Sequence, residues 1–142
     1  MTVIAWDGKT LAADRQVSDD HDFDSYTTKI STSKDGSVAG ALCGSFTELS
    51  KFETWVRGGA RGRYEFASGN NSEALLVHSN GNIELVTSNG RRKIEGVKFY
   101  AMGGGRAYAL GALEMGATAA EAVRVAMKYI CSTGDIDEIE FK

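Results

Sequence analysis

Among the residues of this chain whose side chains could do chemistry, the most notable is at its start. Thr2 stands directly behind Met1. A threonine hydroxyl is a weak nucleophile and needs a base to take its proton. A free α-amine has a pKa of about 7.7–8.0 and is partly neutral near pH 7. A terminal threonine therefore carries its own base. The chemistry would be nucleophilic attack by that hydroxyl, assisted by the residue's own amine. It requires loss of Met1, a normal processing step before a small residue. Taken alone, Thr2 is better explained as the first β-branched residue of an edge strand.

Other groups point less clearly to chemistry. Within the run Asp19, Asp20, His21, Asp22 and Asp24, Asp20-x-Asp22-x-Asp24 is spaced like the start of a calcium loop. Ser25 stands where such a loop needs glycine and Ser31 where it needs glutamate, so a solvated acidic loop is the better reading. Gly103-Gly104-Gly105 ahead of a helix could cradle an anion. It lacks the Lys-Ser/Thr of a P-loop, and a tight strand-to-helix turn explains it better. His21 and His78 show no carboxylate–serine constellation. Cys43 and Cys131 are too few for a disulfide scaffold and include no CxxC, so reduced, buried thiols are expected, with no metal and no cofactor.

The elements that must position these groups follow from turn chemistry and periodicity. With 17 Gly and no Pro, the turns fall to Gly, Asn and Asp. Thr2 to Trp6 and Lys9 to Ala13 read as a hairpin turning at Asp7-Gly8. A polar acidic loop follows, then strands at 27–33 and 37–43. Ser45-Phe46-Thr47-Glu48 reads as a capping box opening a helix through Leu49, Phe52 and Val56, ended by Gly58-Gly59. Residues 60 to 72 read as a loop. Strands resume at 74–78, 83–86 and 97–102. Helices are predicted over 106–115 and, behind a second capping box at Thr118 and Glu121, through Ile130. The tail alternates like a last strand. Hairpin-connected strands with segregated helices argue an α+β fold with antiparallel sheets.

Length and charge set limits. A chain of 142 residues is one domain, 1–142, long enough for one core. The net charge of −3 argues against a nucleic-acid binder. Arg57, Arg61, Arg63 and the run Arg91-Arg92-Lys93 read as solvated surface or a subunit contact. No apolar run is long enough to span a bilayer, and the first residues lack a signal-peptide pattern, so no membrane association and a cytoplasmic location are expected.

Three stretches carry a resemblance. Thr2, AADR at 12–15 and TTKI at 27–30 resemble the start of proteasome β-type subunits and their bacterial HslV relatives. So do AGALCGSFTELSKFE at 39–53 and YAMGGGRAYALGALEMGATAAEAVRVAMKY at 100–129. The resemblance implies the N-terminal nucleophile (Ntn) hydrolase fold, a four-layer αββα sandwich of two antiparallel sheets. It makes Thr2 the nucleophile and, through its amine, the base. Lys29 matches the catalytic lysine and Asp14 the carboxylate that holds it. The turn at Cys43-Gly44 matches the oxyanion-stabilising backbone, Gly44 being preferred. Ser132 matches a supporting serine. The implied activity is that of a threonine-type peptidase in a homo-oligomeric ring, acting on polypeptides, with an ATP-dependent unfoldase as partner.

The sequence departs from that pattern at three places. Gly104 stands where the family has a serine, and Tyr129 where it has an aspartate. Between 58 and 73 there is room for a loop but not for the family's second helix, so one helical layer is shortened. These departures, together with a retained Met1, would fit a catalytically silent member acting in structure or assembly.

Overall fold

A computed structural model of the chain describes residues 1–18, 24–67 and 71–141. In chain order the strands are β1 (Val3–Trp6), β2 (Thr10–Asp14), β3 (Gln16–Ser18), β4 (Asp24–Tyr26), β5 (Ile30–Thr32), β6 (Val38–Cys43), β7 (Glu73–His78), β8 (Ile83–Thr87), β9 (Gly90–Ile94), β10 (Tyr100–Gly103) and β11 (Ile136–Glu140). The helices are α1 (Leu49–Arg57), α2 (Arg106–Glu114) and α3 (Ala119–Tyr129), with a 3-10 turn over Phe46–Glu48 ahead of α1. The chain divides into two compact units, Met1–Lys29 with Lys98–Lys142, and Ile30–Val97. Among the described residues no helix is long and apolar enough to cross a membrane.

The first unit holds an antiparallel sheet in the order β10-β1-β2-β11. Val3, Ala5, Ala12 and Ala101 pack against Ala109 and Leu113 of α2 and against Ala119, Ala122, Val123, Ala126 and Met127 of α3. The α3 residues recur at i, i+3, i+4, i+7 and i+8, one face of a helix. Small strand residues let the helices approach. A Cβ placed on Gly105 would come within 2.9 Å of Val3 Cβ and 3.1 Å of Ala126 Cβ.

Helix α3 is capped as its sequence predicts. Thr118 Oγ1 accepts from Glu121 N, and Glu121 accepts from Thr118 N. A second cap comes from the β1–β2 turn. Asp7 Oδ2 accepts from Ala119 N at 2.9 Å, while Asp7 Oδ1 accepts from Lys9 N and Thr10 N. One carboxylate thus holds both the hairpin turn and the start of α3. The turn itself centres on Gly8-Lys9, one residue later than the sequence reading, because Asp7 N donates to Thr10 O.

The second unit holds the five-stranded antiparallel sheet β5-β6-β7-β8-β9. Its small-residue strand, β6, has a steric purpose. A Cβ on Gly40 would come within 2.8 Å of Phe52 Cζ and 2.9 Å of Leu76 Cδ2, so glycine there seats the α1 aromatic ring on the sheet.

The capping box expected at Ser45 does not form. Ser45 Oγ pairs with Thr47 Oγ1, and Glu48 turns inward instead. Glu48 is buried, accepting from Tyr64 Oη at 2.7 Å and from Ala67 N at 2.5 Å. Burial and this carboxylate push the Tyr64 phenol well above its ordinary pKa. Glu48 therefore fastens the non-helical segment that follows α1. Tyr64 and Phe66 of that segment pack with Phe52 and Trp55 of α1.

Other expectations need correcting. Within the predicted acidic loop, β3 and β4 form a short antiparallel ladder. The acidic run itself falls largely on residues outside those described. Arg91-Arg92-Lys93 lies on β9, and Arg91 is not simply solvated. It donates to both carboxylate oxygens of Glu84 and to the carbonyls of Ala60 and Gly62, with its guanidinium over the Trp55 ring. Cys131 is exposed and Cys43 half-buried rather than both buried, and neither forms a disulfide.

Glu84 also lies 2.6 Å from His78 Nε2. The Arg91 hydrogen bonds hold its carboxyl below the ordinary glutamate value, against the opposing effect of burial. Its contribution to stability is therefore present above about pH 4.3 and is lost as the pH falls through the lowered folded value. We predict that Glu84→Gln flattens this acid limb of the stability curve, as read by urea unfolding from pH 6 down to about 3. An unchanged limb would show that the pair contributes nothing there.

Candidate active site

The β1–β2 register sets Val3 beside Asp14. Ile4 pairs with Ala13 and Ala5 with Ala12, so the strand ends meet there. Val3 N donates to Asp14 Oδ1 at 3.0 Å. Asp14 is wholly buried at the end of β2. The chain leaves β2, forms the β3–β4 ladder and returns beside Arg15, where Thr27 N donates to Arg15 O. That return delivers Lys29 to the carboxylate.

Lys29 Nζ lies 3.0 Å from Asp14 Oδ1 and 3.0 Å from Thr2 Oγ1, and its side chain is 5% exposed. The ammonium thus bridges a buried carboxylate and a hydroxyl. Such charge-assisted bonds hold a cation beside an oxygen on which negative charge would develop.

The three glycines of the β10–α2 turn each answer to the start of the chain. A Cβ on Gly103, whose φ is +93°, would fall 2.2 Å from Thr2 O. Gly105 N donates to Thr2 O at 3.2 Å, and the space at Gly105 is taken by Val3 and Ala126. At Gly104, a Cβ would lie 2.4 Å from Met1 Cε. The turn is therefore a cradle for residues 1 to 3, which supports the tight-turn reading of this motif.

The end of α3 supplies the last group. Ile130 N donates to Ala126 O and Ser132 N to Met127 O. Cys131 lies between them with φ +56°. This is a Schellman closure with a cysteine in the left-handed position that glycine usually fills. It aims Ser132 at the site, where Ser132 Oγ donates to Asp14 Oδ2 at 2.9 Å. Asp14 thus accepts from Val3 N, Lys29 and Ser132.

Four of the five residues singled out from sequence, Thr2, Asp14, Lys29 and Ser132, converge in the first unit. Gly44 belongs to the second unit, just beyond β6, with φ +125°. A Cβ there would come within 2.6 Å of Ser72 Oγ, which also accepts from Ser45 N. Tyr129 takes no place among the four. It is 63% exposed and stacks on Tyr108 with ring centroids 4.9 Å apart.

No family model matches this chain, and no curated protein does. Solved structures do. Eukaryotic HslV from Trypanosoma brucei matches with a TM-score of 0.66 at 15% identity, over 98% of both chains. Thiobacillus denitrificans BPH matches with a TM-score of 0.71 at 18% identity, over 100% of this chain and 99% of that one. The same protein in complex with epoxomicin matches with a TM-score of 0.66 at 18% identity, over the whole of both chains. The chain has the proteasome β-subunit and HslV fold. It is an α+β, Ntn-hydrolase fold, as the sequence resemblance implied. The segment after α1 carries no helix over 58–67.

Sequence reasoning missed two contributors. Cys131 has no residue-type signal for a left-handed turn. The Val3 N–H donor belongs to the backbone and emerges only from strand register.

Removing one member of a buried ion pair costs about 3–5 kcal/mol when the other is stranded. We predict a loss of about that size for Asp14→Ala, which also orphans Val3 N and Ser132 Oγ. Lys29→Met leaves Asp14 two donors, and its loss should be smaller, about 1–3 kcal/mol. Chemical denaturation of both variants checks the order; equal losses would contradict it.

Proposed function

We propose that this chain is a threonine-type N-terminal nucleophile hydrolase that cleaves amide bonds in polypeptides. The observation that carries the reading is Lys29 Nζ at 3.0 Å from both Thr2 Oγ1 and Asp14 Oδ1. In the active species Met1 is gone and the Thr2 amine is free.

The amine takes the hydroxyl proton, and Thr2 Oγ1 bonds to the substrate carbonyl carbon. The Lys29 ammonium favours the neutral amine and stabilises the developing alkoxide. The backbone N–H at Gly44 is the proposed donor to the oxyanion. The tetrahedral intermediate then collapses. The C–N bond breaks, the leaving amine takes the proton now held by the Thr2 amine, and an ester to Thr2 remains. Water, deprotonated by the same amine, attacks the ester carbon; the bond to Thr2 Oγ1 then breaks, the amine returns the proton to Oγ1, and the acid is released. Asp14 holds Lys29, and Ser132 holds Asp14. Catalytic roles are thus proposed for Thr2, Lys29 and Gly44, and supporting roles for Asp14 and Ser132.

The fold's relatives also motivate a self-compartmentalising homo-oligomeric ring, fed by an ATP-dependent unfoldase. The proposed setting is the cytoplasm. Thiobacillus denitrificans BPH, which shares this fold, has a structure in complex with epoxomicin, which makes that compound a probe for this chain.

A second reading is a silent assembly protein that keeps Met1. The contact of Met1 with Gly104 favours it, because the absent side chain at 104 leaves room for the Met1 side chain.

Peptide hydrolysis by protein beginning at Thr2 separates the two. We expect turnover of fluorogenic peptides that Thr2→Ala abolishes and Lys29→Met lowers by about 10²–10⁴-fold. Turnover that survives in Thr2→Ala would overturn the nucleophile. No turnover from a species that begins at Thr2 would favour the assembly reading.

A further inference from the structure

The turn that carries Ser132 is clasped from a second side. Gln16 and Tyr26 sit opposite each other in the β3–β4 register. Gln16 Oε1 accepts from Thr133 N at 2.5 Å and from Thr133 Oγ1 at 3.2 Å. Tyr26 Oη lies 2.7 Å from Thr133 Oγ1. The Thr133 hydroxyl has one hydrogen, and it goes to Gln16, so Tyr26 donates to Thr133. The Tyr26 ring also covers Gly134, where a Cβ would come within 2.5 Å of Tyr26 Cε1.

The clasp is joined in sequence to both charged residues. Strand β3 begins two residues after Asp14, and β4 ends three residues before Lys29. The turn it grips is strained, since Cys131 is a non-glycine residue in the left-handed region, with φ +56°. A strained turn drifts unless its neighbours over-determine it. Ser132 must stay within hydrogen-bond reach of a carboxylate that itself aims the Lys29 ammonium.

We propose that Thr133, held by Gln16 and Tyr26, is a positioning residue that keeps Ser132 on Asp14 and so sets the Lys29 ammonium against Thr2. The proposal rests on the hydrolase reading above. It adds a route by which the β3–β4 ladder acts on the reaction without touching substrate.

A double-mutant cycle on peptide hydrolysis tests it. Thr133→Val keeps the shape and removes the hydroxyl. We expect kcat to fall about tenfold or more, with KM unchanged, as misplaced catalytic groups do. Thr133→Ser should restore the rate. In a Ser132→Ala background, Thr133→Val should have no further effect, because Thr133 acts through Ser132. Gln16→Leu, which removes the clasp from the other strand, should show the same dependence on Ser132. Additive losses, or a lowered melting temperature with kcat intact, would overturn the proposal while leaving the hydrolase reading in place. A wild-type chain beginning at Thr2 with no hydrolysis would overturn both.

Discussion

Taking an ammonium and a carboxylate out of water costs several kcal/mol for each ion unless both find partners. Lys29 and Asp14 are both almost fully buried, and the first unit is organised around that requirement. Asp14 accepts a backbone bond from β1 and a hydroxyl bond from the turn after α3, while Lys29 reaches on to Thr2. Three separate parts of the chain must therefore arrive at one carboxylate. The β1–β2 register brings the first, the Schellman closure of α3 the second, and the return from the β3–β4 ladder the third. Desolvation that would be a liability elsewhere keeps a cation fixed beside a hydroxyl, in surroundings where its field is poorly screened.

Close approach is the second constraint. The start of β1 is enclosed by Gly103-Gly104-Gly105, whose missing side chains make room for Thr2 O, Met1 and Val3. The sheet face beneath α3 is alanine-rich for the same reason. Helix α3 is braced at both ends by the β1–β2 hairpin, through Asp7 at its start and through Ser132 on Asp14 past its end. A rigid helix held at two points transmits little motion to the residue it presents. In the second unit, Tyr64 and Phe66 pack with the α1 aromatics, and Glu48 and Arg91 fasten the segment that carries them.

Features encoded locally were legible from sequence. The β1–β2 hairpin, the Thr118 capping box and the small-residue strand β6 follow from turn chemistry, helix-start chemistry and side-chain size. Thr2, Asp14, Lys29 and Ser132 were legible only through their joint resemblance to a known pattern, since each alone has a blander explanation. The failures are tertiary. Glu48 has the right spacing to cap a helix, yet Tyr64 and the Ala67 amide outcompete that use from 16 and 19 residues away. Arg91 looks solvated until Glu84 and two carbonyls are brought beneath it by strand pairing. The β3–β4 ladder is too short and polar to show a period. Nothing in a cysteine's chemistry announces a left-handed helix end.

The central claim is that one residue supplies both nucleophile and base. A peptide epoxyketone tests this directly, because it closes a ring only with a hydroxyl and a free α-amine on the same residue. The measurement is the intact mass of the chain before and after incubation, with the adduct mapped by fragmentation. The account predicts a species lacking Met1 that gains one stoichiometric adduct on Thr2, absent from Thr2→Ala. A chain that retains Met1 and gains nothing, or an adduct mapped elsewhere, would contradict it.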